Sequence, residues 1–397
     1  MLPLQGIRIL DLSRMVAGAY CSMILADLGA EVIKIEQPGI GDDTRQWGPP
    51  FIKGESAYFL SANRNKKSLT LDLRKEKAQE IFRGLVPQAD VVIENFRTGT
   101  MEKFHLGYQD LKKLRTDLIY CSVTAFGLTG PYKDRPGTDP IMQATGGLLG
   151  IIGEPDGKPF RVGLPIIDMT SGLYLHGAIL AALLARREDG KSHFIEISLL
   201  DVELSLLLNL GSNYLLAGQV PKRYGNAHPT IVPYNIFETK DRPVFLSASA
   251  DGRWKKLCQI LELNHLIDDV RFSTTGARIQ NRAEVEALLQ ARLREKTADE
   301  WMERMDQSDA GVPFAPINSL DRVFNDPQVT SREIITEVTH PVTGPIKMVG
   351  MPVRYDERRG QVRLPPPRLG EHNREILTRM LGYSEADMDQ LKEEGVI

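Results

Sequence analysis

Ile7-Arg8-Ile9-Leu10-Asp11-Leu12 is followed by an apolar stretch at 20–28, a closing Gly29, and then Glu31-Val32-Ile33-Lys34-Ile35-Glu36. The outer segments have the length and the branched, apolar content of strands. The middle one reads as a short helix stopped by glycine. The pattern recurs: Ser68-Leu69-Thr70-Leu71-Asp72-Leu73 reads as a strand with a helix at about 75–85 behind it. Asp90-Val91-Val92-Ile93-Glu94-Asn95 and Leu118-Ile119-Tyr120-Cys121-Ser122-Val123 continue the series. Strands that alternate with helices predict an α/β fold built on a parallel, doubly wound sheet. Such sheets bind ligands at the carboxyl ends of their strands. The turns that matter are therefore 13–18, 37–47, 74–75, 95–103 and 124–139.

Farther along, His193-Phe194-Ile195-Glu196-Ile197-Ser198 reads as another strand and 202–217 as a long apolar helix. Residues 218–233, rich in Gly, Pro and Asn, break the pattern. A strand at 243–249 and helices at 253–261, 281–296 and 298–305 follow. The expected organisation is a large domain whose first part is 1–220, a small α/β domain at 225–325, and a C-terminal segment at 330–397. That segment holds a strand-like stretch at 346–353, Pro365-Pro366-Pro367, and a last helix at 373–381.

A chain of 397 residues has room for two such domains, and 42% hydrophobic with 25% charged residues is an ordinary globular composition. A formal net charge of −3 leaves no broad basic footprint for nucleic acid, so no nucleic-acid partner is expected. Cys21, Cys121 and Cys258 are far apart in apolar contexts and read as reduced core thiols. The N-terminus runs straight into a strand without a signal or transit pattern, and apolar runs such as 173–184 are short and interrupted. The expectation is a cytoplasmic protein with no membrane contact, or a matrix protein if a transit segment has been removed.

The functional question centres on Arg161-Val162-Gly163-Leu164-Pro165-Ile166-Ile167-Asp168-Met169-Thr170-Ser171-Gly172-Leu173-Tyr174. An apolar run ends in one carboxylate and then enters a helical apolar pattern. A buried, unpartnered carboxylate costs several kcal/mol, roughly, so Asp168 needs a role. One role is a helix N-cap. The other is a nucleophile held at the helix N-terminus.

Several chemistries are absent. Gly147, Gly150 and Gly153 do not follow the first strand and form no dinucleotide fingerprint, which opposes a nucleotide-dependent oxidoreductase. No Walker sequence, HExxH or GxSxG occurs, and the seven histidines show no metal spacing, so no metal is expected. Chemistry then rests on carboxylates, arginines and backbone donors.

These residues resemble the family III CoA-transferases, the CaiB/BaiF group. The blocks that carry the resemblance include Leu4-Gln5-Gly6-Ile7-Arg8-Ile9-Leu10-Asp11-Leu12-Ser13-Arg14 and Ala26-Asp27-Leu28-Gly29-Ala30-Glu31-Val32-Ile33-Lys34-Ile35-Glu36. Asn63-Arg64-Asn65-Lys66-Lys67-Ser68, Glu94-Asn95-Phe96, Gly127-Leu128-Thr129-Gly130-Pro131, Asp139 with Gln143-Ala144, and Gly225-Asn226 extend it along essentially the whole chain. The resemblance implies a Rossmann-like large domain, a smaller domain, and an interlocked homodimer. It places the catalytic aspartate at Asp168, with an oxyanion and acyl pocket at Val16, Ala17 and Asp139. Coenzyme A, carried as an acyl-CoA substrate, is expected at Met15, Val16, Gln37, Leu71, Arg74, Asn95, Phe96, Arg97 and Lys103.

Departures narrow the activity. Val16 stands where formyl-CoA members carry glutamine, and no run of four glycines lies between 225 and 252, which opposes the formyl/oxalate alternative. Thr138 stands where the family's racemases carry a histidine base, which opposes racemisation. The texture is closest to members that move CoA between succinate and another dicarboxylate such as glutarate. A second carboxylate calls for an arginine fork, for which Arg14, Arg45 and Arg135 are candidates. For Arg45 an internal ion pair with Asp42 or Asp43 is the competing reading. A catalytically silent CoA-binding protein is the remaining alternative, which Asp168 argues against.

Overall fold

The computed structural model describes residues 2–308 and 311–397. β1 (Arg8–Asp11), β2 (Glu31–Glu36), β3 (Lys66–Thr70), β4 (Val91–Glu94), β5 (Ile119–Thr124) and β6 (His193–Ser198) form a parallel sheet in the order β3-β2-β1-β4-β5-β6. The strand order reverses between β1 and β4, so the ligand crevice of such a sheet opens beyond the carboxyl ends of those two strands.

The larger helices between residues 16 and 217 are α1 (Val16–Asp27), α2 (Ala57–Ala62), α3 (Glu76–Leu85), α4 (Asp139–Thr145), α5 (Ile166–Asp189), α6 (Leu199–Leu206) and α7 (Leu208–Ala217). Alternation along each strand feeds two layers. Ile9 lies in register with Val32 and Val91, and all three enter a core with Cys21 and Leu25 of α1 and Leu175 and Ile179 of α5. Leu10, in register with Ile33 and Val92, faces the opposite core with Ile81 and Phe82 of α3. That second layer also takes Ile376, Leu377 and Met388 from the end of the chain.

The chain divides into two compact units, one of Met1–Leu148, Arg161–Gln219 and Arg332–Ile397, the other of Leu149–Phe160 and Val220–Ser331. The smaller unit therefore takes 149–160 in addition to the stretch read from sequence. It pairs β7 (Tyr234–Phe237), β8 (Val244–Ser247) and β9 (Phe314–Pro316) antiparallel, in the order β9-β8-β7. α8 (Asp251–Ile260), α9 (Arg282–Leu293) and α10 (Ala298–Gln307) close its core around Trp254 and Trp301. In the tail, β10 (Ile335–His340) and β11 (Gly344–Val349) form a hairpin, followed by α11 (Asn373–Leu381) and α12 (Glu385–Glu393).

Two helices differ from their sequence reading. The helix expected at 202–217 is two, α6 and α7, because Leu208 turns to a φ of 34° and breaks the run. α5 is 24 residues, not the short run at 173–184, and by length and composition alone it is apolar enough to cross a membrane. Its Ile167, Leu175 and Ile179 are fully buried in the core beside α1.

Candidate active site

Asp168 is the third residue of α5, and Pro165 occupies the N-cap position without a side-chain bond. The cap comes from elsewhere. Asp139 opens α4, and its Oδ2 accepts the N–H groups of Ile167 at 2.7 Å and Asp168 at 3.1 Å. Gln143, one turn along α4, donates to Asp139 Oδ1 and accepts the N–H of Val162 at 2.9 Å. The N-cap reading of Asp168 is thus corrected: a distant carboxylate does that work, and Asp168 keeps its own side chain free of it.

Among the described residues no cation pairs with Asp168. Burial, and then the negative charge of Asp139, push its carboxyl from the ordinary 3.8 up to about 7. A carboxyl held near neutral pH in a partly buried site makes Asp168 a candidate functional residue. Tyr58 of α2 feels the same place: burial and the charges of Asp168 and Asp139 raise its phenol. Ser56 caps α2 by accepting the N–H groups of Tyr58 and Phe59, and the Trp47 ring meets Tyr58 edge-on at 5.0 Å. Glu203 of α6 is fully buried, with Oε1 accepting the Leu148 N–H, and burial and the Asp139 charge raise its carboxyl.

Gly172 brings α5 against α1. A Cβ there would lie 2.7 Å from the Ala17 carbonyl oxygen and 3.3 Å from the Cys21 nitrogen. Asp168 shares that face one turn earlier. Both helices start at the carboxyl edge of the sheet, so Asp168 stands beside the first turn of α1, where Val16 and Ala17 are buried. No side chain caps α1, so its first N–H groups remain available as donors.

The residues expected to contact CoA follow β3, β2, β1 and β4, which are neighbours in the sheet. Met15 precedes α1. Gln37 accepts from the Arg14 guanidinium at 3.3 Å, and that guanidinium lies 5.6 Å over the Phe96 ring. Arg97 and Lys103 are exposed, which suits phosphate binding. Three expected contacts turn out engaged elsewhere. Leu71 is a core residue at 2% exposure, so only its backbone can reach a ligand. Arg74 makes a two-pronged ion pair with Asp72. Asn95 gives its amide to the Arg14 backbone, accepting from Arg14 N at 2.8 Å and donating to Arg14 O at 2.6 Å.

Of the arginines offered for a second carboxylate, Arg45 is corrected to a framework residue. It pairs with Glu36 through Nε at 2.7 Å and Nη2 at 2.8 Å, donates to the Pro367 carbonyl, and lies 3.6 Å over the Phe59 ring. Its partner is Glu36, not Asp42 or Asp43. Arg14 groups with Gln37 and Phe96, and Arg135 is exposed and stacked 3.7 Å over Tyr132. Among the described residues no group of three or more His, Cys, Asp or Glu side chains could hold a metal ion.

The family model described as CoA-transferase family III matches residues 4–373. The chain belongs to CoA-transferase family III. Succinyl-CoA:glutarate CoA-transferase of Mus musculus is 43% identical over 100% of this chain and 91% of that protein. The Homo sapiens protein of the same name is 40% identical over 100% of this chain and 90% of that protein. A solved CAIB/BAIF family protein from Brucella suis superposes with a TM-score of 0.87 at 40% identity, covering 96% of this chain and 99% of the other. A family III CoA-transferase is an enzyme that works on CoA thioesters, and the site just described lies in the part of the chain the family model matches.

The sequence reading missed Tyr58 and Glu203. Tyr58 sits behind a local signal, the Ser56 cap that starts α2, but nothing local aims its ring at residue 168. Glu203 lies in an apolar helix with one other acid, Asp201, and of the two only Glu203 is buried, so the local pattern did not single it out.

Proposed function

We propose that this enzyme moves CoA from succinyl-CoA to a dicarboxylate through covalent intermediates on Asp168. The observation that carries the reading is a carboxylate without a cation, raised to about 7, beside an uncapped helix start. An Asp168 oxygen attacks the thioester carbonyl, and the oxyanion forms against the Val16 and Ala17 N–H groups. Collapse breaks the C–S bond and leaves a mixed anhydride and CoA thiolate. The thiolate attacks the aspartyl carbonyl and expels succinate, leaving an aspartyl-CoA thioester. The acceptor carboxylate attacks that thioester and releases thiolate, which then attacks the acceptor's acyl carbonyl and frees Asp168.

The names of the relatives support a dicarboxylate acceptor. Arg14 and Arg135 are the guanidiniums left for its distal carboxylate, since Arg45 is held by Glu36. The experiment is an assay of succinyl-CoA against a panel of acids. Glutarate should exceed butyrate in kcat/KM by about a hundredfold, because a guanidinium that pairs with the distal carboxylate would lose its partner. Equal use of butyrate would end the dicarboxylate reading. Thiol release without an acceptor would make the protein a hydrolase.

We also infer an interlocked homodimer. Leu208, Leu215 and Leu216 of α7 are 76%, 82% and 88% exposed, and no residue of α7 is buried within one chain. Apolar exposure on this scale marks an interface. A folded monomer in sedimentation at nanomolar concentration would refute it.

A further inference from the structure

The turn from β1 into α1 carries more side-chain hydrogen bonding than its length calls for. Met15 has φ 63° and ψ −150°, a backbone conformation essentially restricted to glycine. The N–H and carbonyl groups of Ser13 and Arg14, and the N–H of Met15, are all held by side chains. Ser13 N donates to Asp11 at 2.9 Å, and Ser13 O accepts from the Lys34 ammonium at 2.7 Å. The Asn95 amide closes on both the N–H and the carbonyl of Arg14. Met15 N donates to Asp42 Oδ1 at 3.3 Å, and Asp42 Oδ2 pairs with Lys34 at 2.7 Å. Gly18 lets the helix fold onto the turn, since a Cβ there would meet Ser13 Cβ at 2.3 Å.

Stability does not account for this arrangement. Buried ion pairs such as Lys34–Asp42, both at 0% side-chain exposure, add little over an apolar core of equal volume. What they secure is direction. Met15 is the last residue before Val16, so its dihedrals decide where the first N–H groups of α1 point.

We propose that Asn95 and Asp42 are positioning residues that hold Met15 in this conformation and so aim the Val16 and Ala17 N–H groups at the oxyanion beside Asp168. The inference rests on the nucleophilic reading of Asp168 given above. It also reassigns Asn95, whose amide serves the turn and not the CoA.

The test measures kcat and KM for succinyl-CoA, with glutarate as acceptor, in wild type, Asn95→Ala, Asp42→Asn, and Asn95→Ala combined with Met15→Gly. Asn95→Ala should lower kcat by about a hundredfold, the scale of one misdirected oxyanion donor, while KM for succinyl-CoA changes by less than about threefold. Asp42→Asn keeps an acceptor for Met15 N and should lower kcat less. Adding Met15→Gly should recover about tenfold or more, because glycine holds the turn without the clamp. Unchanged kcat, a rise in KM alone, or no recovery with glycine would each overturn the proposal. If Asn95→Ala does not fold, Asn95→Asp keeps the acceptor for Arg14 N, loses the donor to its carbonyl, and is held to the same criteria. Hydroxylamine trapping of wild type with succinyl-CoA separates the two readings. No modification at Asp168 would overturn the nucleophile and this inference with it. Modified Asp168 beside an unaffected Asn95→Ala would overturn this inference alone.

Discussion

Asp11, fully buried, and Asp168, partly buried, are aspartates near the same edge of one sheet, and their environments drive them in opposite directions. Burial alone would raise Asp11, but Lys34 and Lys66, with the hydroxyls of Ser13 and Ser22, pull its carboxyl down to about 2. Burial also raises Asp168, and there Asp139 adds to the rise, so the carboxyl reaches about 7. The difference is the presence of cations. The framework under the β1–α1 turn has two buried lysines, whereas the site on α5 faces a second carboxylate. Charge compensation holds a backbone in place. Its withholding leaves a carboxylate basic enough to attack.

The largest effect should come from removing the uncompensated member. Asp168→Ala should lower transfer by about a thousandfold or more while binding of CoA persists. A loss under about a hundredfold would mean that Asp168 is not the nucleophile. On the compensated side, Lys34→Met should leave Asp42 buried without its cation, and Asp11 with Lys66 alone, and cost about 3–5 kcal/mol in denaturant unfolding. A cost under about 1 kcal/mol would show that the framework charges are not coupled.

A smaller effect concerns stability against pH. The folded-state carboxyl of Asp168 is raised, so its contribution is complete below pH 3.8 and is lost as pH rises through about 7. Asp168→Asn lacks that loss. It should be more stable than wild type at pH 8 by about 1–2 kcal/mol, with a smaller margin at pH 5. An equal margin at both values would mean that the raised carboxyl is not what differs. The smallest expected effect is on the kinetic profile. If the ionised Asp168 attacks, kcat/KM should rise with pH toward about 7. Asp139→Asn removes the neighbouring charge and should move that limb to lower pH. A limb that stays in place would assign the rise to another group.

Much of the sheet was legible because its information is local. Glu31–Glu36 and His193–Ser198 carry the bounds read from their apolar content. Alternation within a strand decides which residue enters which layer, as Ile9 and Leu10 do. The hairpin of β10 and β11 was only half legible, since Thr336, Glu337 and Thr339 dilute the pattern of the first strand. The start of α1 at Val16 was hidden, because the turn before it is held by Lys34, Asp42 and Asn95 from three other segments.

At the site, sequence by itself determined that Asp168 needed a role and, by elimination, that the chemistry rests on carboxylates, arginines and backbone donors. Tertiary structure decided who caps α5, which arginine is held by an internal ion pair, and which phenol feels the carboxylates. Asp139 displaces Asp168 as the cap across 29 residues, and Glu36 takes Arg45 where nearer acids were available. Sequence neighbours are constrained by geometry within a turn or two, so their pattern can be read directly. Partners such as Asn95 and Arg14, 81 residues apart, meet only because β4 lies beside β1 in the sheet, and their chemistry exists only once that order has formed.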